Sequence, residues 1–259
     1  MKTLKIDGKW SVEYDPANND KPVELRRYDE RVPRGLHNWT NDVMAMFYAL
    51  LETRQVRNET AEADRPLEPD FAAMTIDIHA DIFRAGWWTD LKTQADMHHT
   101  RNRPELLMLA VTELAEAADG ADGTMDDKLP HLPMYDVELA DFVIRQFDQI
   151  GAEVACGHAM PSWDYDTPTF VDLNEVRAMS RSDRLMDLVG TVAGAMEHYR
   201  KERVSEYMQC MAYGVMRAFL IADVEDIKLL DIIEQKRAFN RTREDHQIAN
   251  RIKDGGKKI

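Results

Sequence analysis

The chain has 259 residues, 31% of them charged and 44% hydrophobic, with a formal net charge of −14. That length allows one large domain or two small ones around a sizeable core. The acidic balance excludes general nucleic-acid binding, which needs a positive surface to displace counterions. No apolar run approaches the ~18–20 residues of a membrane-spanning helix, and Met1-Lys2-Thr3-Leu4-Lys5-Ile6-Asp7 lacks a signal-peptide core. Cys156 and Cys210 are too few for a disulfide framework or a cysteine-rich zinc site. A cytoplasmic protein with no membrane partner is expected.

Residues 1–69 form a module of their own. Lys9-Trp10-Ser11-Val12-Glu13-Tyr14 and Val23-Glu24-Leu25-Arg26-Arg27-Tyr28 read as a short β-hairpin, with turn chemistry from Pro16 to Asp20. Asn38 or Thr40 then caps a helix whose stripe is Val43, Met44, Phe47, Leu50 and Leu51. A polar stretch from Arg54 to Pro69 reads as a linker, and no chemistry is evident in this module.

A second module, 70–259, is helical. One helix is expected from about Asp70 to Gly86, followed by the loop Gly86-Trp87-Trp88-Thr89-Asp90. A second begins after Pro104 and ends at Gly120, and a third runs from about Met134 to Ile150. The second carries Glu113-Leu-Ala-Glu116 and the third Glu138-Leu-Ala-Asp141, each beside an apolar run. Residues i and i+3 share a helix face. Carboxylates on a core-facing stripe cost several kcal/mol each unless neutralised, and no Lys or Arg lies inside either pair. Four converging carboxylates suit a hard divalent cation, Mg2+ with Mn2+ as a substitute, shared with substrate phosphates. A solvated acidic face is the alternative. A ferritin-like di-iron site would need Glu-x-x-His pairs, and neither pair has the His.

After residue 180 the unit recurs in weakened form. With Val111 set on Val189, Ala115 and Ala117 fall on Ala193 and Ala195, while Glu113 and Glu116 become Thr191 and Gly194. With Ala140 set on Ala212, Val143 and Arg145 fall on Val215 and Arg217, while Glu138 and Asp141 become Cys210 and Tyr213. A repeat that keeps its apolar frame and loses all four carboxylates would be a metal-free second copy; chance similarity between helices is the alternative.

Gly86-Trp87-Trp88-Thr89-Asp90, Arg101-Asn102, Glu113-Leu-Ala-Glu116-Ala117, Leu129-Pro130-His131, Glu138-Leu-Ala-Asp141 and the C-terminal Lys236, Asn240, Arg243, Asp245, His246 and Gly255-Gly256-Lys257-Lys258 resemble MazG-like nucleotide pyrophosphohydrolases of phage and bacterial type. The resemblance covers roughly 74–150 and 228–259. It implies an all-α fold: a four-helix-bundle core, here with a degenerate second helix pair that makes a pseudo-dimer. Residues 70–150 would be the metal-binding half, and 180–259 the degenerate half plus a phosphate-binding segment.

The activity it implies is Mg2+-dependent hydrolysis of nucleoside or deoxynucleoside triphosphates to monophosphate and pyrophosphate, in nucleotide-pool control. Glu113, Glu116, Glu138 and Asp141 would be the catalytic metal ligands. Trp88, Arg101, Asn102, Lys236, Asn240 and Arg243 would bind substrate. For Trp88, core anchoring is an equal reading; for Lys236, a basic helix end favoured by the macrodipole.

In single-unit relatives the Lys–Asn–Arg segment follows the Glu-x-x-Asp helix, whereas here it follows Tyr213 at the same interval. Either a homodimer or a monomeric pseudo-dimer is therefore expected. Two other functions stand beside the first: a non-catalytic nucleotide-binding or regulatory protein on the same scaffold, and a hydrolase of another phosphorylated nucleotide such as an alarmone. The preferred base and sugar are not legible. His79 reads as structural, His98-His99 and Asp126-Asp127 as solvated loop, and Met208, Met211 and Met216 as plastic core.

Overall fold

A computed structural model describes the chain at 2–7, 10–14, 24–27, 69–163 and 173–253. The expected helix after Asn38, most of the Arg54–Pro69 linker and the Gly255–Lys258 motif lie outside the described residues. The chain divides into two compact units, Met1–Ile76 and Asp77–Ile259.

In the first unit, strands β1 (Lys2–Asp7), β2 (Trp10–Tyr14) and β3 (Glu24–Arg27) form one sheet in that order. Both pairings are antiparallel, with Lys2 opposite Tyr14 and Trp10 opposite Arg27.

Helix α1 (Phe71–Arg84) leads into the second unit, whose described elements are all helical. They are α2 (Arg103–Asp119), α3 (Met134–Ala155), α4 (Leu173–Ala178), α5 (Arg181–Tyr199), α6 (Val204–Val224), α7 (Leu229–Thr242), a 3-10 turn Glu244–His246 and α8 (Ile248–Arg251). Among the described residues no helix is long and apolar enough to cross a membrane.

Local chemistry sets the ends of α2. Asn102 caps it by accepting from the Glu105 N–H, Pro104 fills the first turn where no N–H is needed, and Gly120 closes it by donating to Glu116 O. At Gly120 a Cβ would lie 2.8 Å from both Met134 Cβ and Tyr135 N, so only glycine lets the loop return onto the start of α3. The loop holds itself: Asp126, only 2% exposed, accepts from the Lys128 and Leu129 N–H groups at 2.9 and 2.6 Å. It is a buried turn-former, where a solvated residue was expected.

Helix α3 is buried almost all round and continues past the expected stop at Ile150 through Gly151 to Ala155. It packs against α2, α6 and α7, and a helix enclosed on every side can carry apolar residues on every face. Helices α5 and α6 pair as α2 and α3 do, and the two pairs meet through α2 on α5 and α3 on α6. A side-chain ion pair crosses each pair of helices, Glu113–Arg145 in the first and Asp187–Arg217 in the second. Arg217 matches Arg145, but Asp187 lies one turn before Thr191, the position that the Val111-on-Val189 register matches to Glu113. The register that sets Val111 on Val189 also sets Met108 on Met186, and both are exposed.

Between the two pairs, Gly214 of α6 sits where a Cβ would lie 2.7 Å from Thr191 Oγ1 and 3.4 Å from Phe142 Cζ. Gly214→Ala should therefore lower stability by about 1–2 kcal/mol in urea denaturation, overpacking outweighing the helix-propensity gain. Adding Thr191→Ala removes the obstructing hydroxyl and should recover most of that loss. A neutral single variant would show that the two helices stand further apart.

Candidate functional site

Glu113 and Glu116 face the same side of α2 from positions i and i+3, and Glu138 faces them from α3. Oxygens of these three carboxylates all lie within 4.8 Å of one another; Glu113 and Glu138 are buried and Glu116 is exposed. Such an all-oxygen donor set is what a hard divalent cation takes. Glu138 Oε2 is buried with no hydrogen-bond partner among the described residues, an acceptor that a cation would satisfy.

Burial, then the charge of Asp141, push the Glu138 carboxyl up to about 8; Glu113 adds to the rise and Lys236 opposes it. A cation among these oxygens would relieve that crowding, so the residues present fit a metal.

Asp141, the fourth carboxylate of the sequence pattern, stands outside this group. Its Oδ2 is 2.7 Å from Nζ of Lys236, which is 1% exposed. Burial works against the ammonium, but Asp141 and Glu138 outweigh it and hold the Lys236 pKa above its ordinary value. The second cation is Arg145, which pairs with Glu113. Neither lies inside a carboxylate pair in sequence; α7 and the turn after Asp141 deliver them.

Next to this cluster is a cavity of about 170 Å³, with Asp141 and Arg145 in its wall. Arg101, Arg237, Arg241 and Arg243 line it with Asn240, Asp81 and Asp148, while Ile82, Leu106, Leu109, Ile144 and Trp87 supply apolar wall. Asp81 orders two of the arginines. Its Oδ2 accepts from Arg237 Nε and Nη2 at 3.0 and 2.7 Å and from Arg241 Nη2 at 2.6 Å, and Arg84 bonds its other oxygen. Burial would raise the Asp81 carboxyl, but the bonds from Arg241, Arg237 and Arg84 win and lower it. Arg243 is held by Asp245, with Nε–Oδ1 at 2.9 Å. Asn240 Oδ1 is buried without a hydrogen-bond partner among the described residues.

Of the residues expected to bind substrate, the cavity thus gathers Arg101, Asn240 and Arg243. Lys236 lies beneath it against Asp141. Asn102 is spent as the α2 cap. Trp88 lies in the core instead, 1% exposed with Leu106 and Ala152, its Nε1 donating to Asp148 at 2.8 Å. Its neighbour Trp87 is the indole in the wall. Arg251 lies 3.5 Å over the Trp87 ring and donates to Ala85 O, and burial, aided by Arg101, lowers its pKa to about 10.

His79, read as structural, joins Asp148 through Nδ1 at 2.8 Å and His98 through Nε2 at 3.0 Å. His98 is only 6% exposed, contrary to the solvated-loop reading, because the loop folds its ring flat against Trp88. Sequence reading missed Asp81, Arg145, Asp148, Arg237 and Arg241. Only Arg145 and Asp148 left a signal, since they continue the Glu138–Asp141 face at helical spacing.

Compared with known families, curated proteins and solved structures, the chain matches none. What can be said of function rests on this geometry and on the short motifs above.

The raised Glu138 carboxyl makes a directional prediction. A group whose folded pKa exceeds its unfolded value near 4.5 contributes stability present in full below that value and lost as pH rises through about 8. With EDTA present, the thermal midpoint of the wild type should fall from about pH 5 to about pH 8.5 more steeply than that of Glu138→Gln. Parallel pH profiles would show that Glu138 is not desolvated in the folded state.

Proposed function

We propose that the protein is a metal-dependent nucleoside triphosphate pyrophosphohydrolase that releases pyrophosphate and a nucleoside monophosphate. The observation that supports this reading is adjacency: the three-glutamate cluster and the arginine-lined cavity share one helix, α3, and meet at Asp141 and Arg145. A compound with a polyanionic tail and a flat apolar end fits both the guanidinium donors and the Ile82–Leu106–Leu109–Ile144 wall.

Glu113, Glu116 and Glu138 are the residues to hold Mg2+ or Mn2+, with Asp141 close by. The bound ion supplies neutralisation of phosphate charge and a lowered pKa for a coordinated water. The protein's own part is positional. Arg237 and Arg241 are fixed by Asp81 as a pre-oriented pair for phosphate oxygens, and Arg145 links the cavity wall to Glu113. Lys236 offsets the negative charge of Asp141 and Glu138, so the cluster can form before any cation arrives. Water then attacks phosphorus at the α–β linkage, and pyrophosphate leaves as the second product. The four-helix arrangement with its carboxylate-free second pair, read as a pseudo-dimer within one chain, belongs to the same proposal.

Two experiments decide it. With Mg2+ and each common NTP and dNTP, the initial products should be pyrophosphate and a monophosphate; orthophosphate plus a diphosphate would overturn the chemistry. Glu116→Gln leaves the buried part of the cluster intact, so it should fold normally yet lose about 100-fold or more in kcat. Unchanged turnover and Mg2+ dependence in that variant would remove the cluster from the mechanism.

A further inference from the structure

We infer that Asp148 reads the nucleobase of the substrate, accepting a hydrogen bond from an exocyclic amine. This rests on the pyrophosphohydrolase reading above.

Glu138, Asp141, Arg145 and Asp148 follow one another at spacings of three, four and three, which keeps them on one face of α3. Helical rise sets Asp148 ~10 Å beyond Asp141 along that face, about the reach of a nucleoside monophosphate from its phosphorus to the far edge of its base. A phosphate at the glutamate end of the cavity thus places a base at the Asp148 end. There Ile82, Leu106, Leu109 and Ile144 can cover the ring faces.

The carboxylate is prepared for one task. Both His79 Nδ1 and Trp88 Nε1 bond Oδ1, each at 2.8 Å, so this oxygen is saturated and the plane of the group is fixed. Oδ2 has no hydrogen-bond partner among the described residues, and Asp148 stands in the cavity wall with its side chain 13% exposed.

The group that fixes it is itself anchored from behind. His79 Nε2 meets His98 Nε2 at 3.0 Å and His98 Nδ1 meets Asp96 Oδ1 at 2.7 Å, so the ring bonded to Asp148 Oδ1 is held at both nitrogens.

Arg101 lines the same cavity and supplies a donor near Asp148. An acceptor beside a donor matches a base edge with an amine next to a ring nitrogen, as in cytosine or adenine. The keto counterpart would set a carbonyl oxygen against Oδ2, leaving both without a hydrogen and repelling. Sites built this way discriminate strongly, because the wrong ligand leaves a buried polar group unpaired.

The test compares amine with keto partners on the full chain with Mg2+: dCTP against dUTP, and dATP against dITP. The amine member should be favoured at least tenfold in kcat/KM in at least one pair. Asp148→Asn keeps an acceptor for His79 and Trp88 and turns a donor toward the cavity, so the preference should invert toward the keto member. Calorimetric binding of dCMP and dUMP to the wild type gives a second readout should that variant fold poorly, with dCMP expected to bind tighter. Equal kcat/KM across each pair, tighter dUMP binding, or an unaltered preference in a folded Asp148→Asn protein would overturn the role of Asp148 and leave pyrophosphate release standing. No hydrolysis of any triphosphate, with dCMP still bound over dUMP, would overturn the reaction and leave Asp148 as a base reader.

Discussion

Burying two glutamates against each other between α2 and α3 is the constraint around which the second unit is arranged. Isolated charges at such positions cost several kcal/mol each, and two of the same sign cost more. Glu113 and Glu138 persist there because distant parts of the chain send cations to them. Arg145 comes from further along α3, and Lys236 from α7, reaching Glu138 and Asp141 from below. The packing of α7 on α3 is therefore electrostatic as well as apolar: Ile232 and Ile233 bury beside Lys236 on one face of the same helix. The compensation is partial, since Glu138 keeps an unpartnered oxygen and a raised pKa. A fully neutralised cluster would be more stable and would have nothing left to offer a cation.

The second helix pair is a comparison built into the chain. At positions matching the carboxylates it has Thr191, Gly194, Cys210 and Tyr213, and its cross-helix ion pair moves one turn to Asp187–Arg217. With no acid at 191, α6 brings Gly214 up to the Thr191 hydroxyl, and Phe142 of α3 closes over the same spot. Packing density replaces charge compensation there. The first pair keeps charged side chains at its seam where the second packs closely, and the second forms a wall for α3.

Much of the helical layout was legible because it is written in local chemistry. Asn102, Pro104 and Gly120 mark both ends of α2, and the i, i+3 spacing of Glu113 with Glu116 sets their common face. What joins residues remote in sequence left little trace. Asp81 gathers Arg237 and Arg241 from more than a hundred positions away, and no pattern near Asp81 announces it. The Trp87–Trp88 pair failed for another reason: an irregular loop has no period, so which indole turns inward cannot be read from spacing. His98 entered the core by the same route, its loop closed by Asp96 accepting from the His98 N–H. Asp141 lies on the expected helix α3, but its partner was not foreseeable, because Lys236 comes from α7, far along the chain.

The cavity arginines are ordered before any substrate is present, and this bears on how an anion would enter. Each guanidinium has five N–H donors, and the acids that hold them use one to three. Asp81 takes two from Arg237 and one from Arg241, Glu234 takes a third from Arg237, and Asp245 takes two from Arg243. The remaining donors stay available while the side chains lose their rotameric freedom, so little ordering entropy is left for binding to overcome. A phosphate chain need not displace the carboxylates; it can occupy the open sides of arginines already aimed. The acids also prevent mutual repulsion of five guanidinium groups around a small volume, which Asp81, Asp141 and Asp148 offset from three separate turns of α1 and α3. Acids and arginines in this wall form one hydrogen-bonded unit, and the donors that the acids leave unused are those the proposed anion would meet.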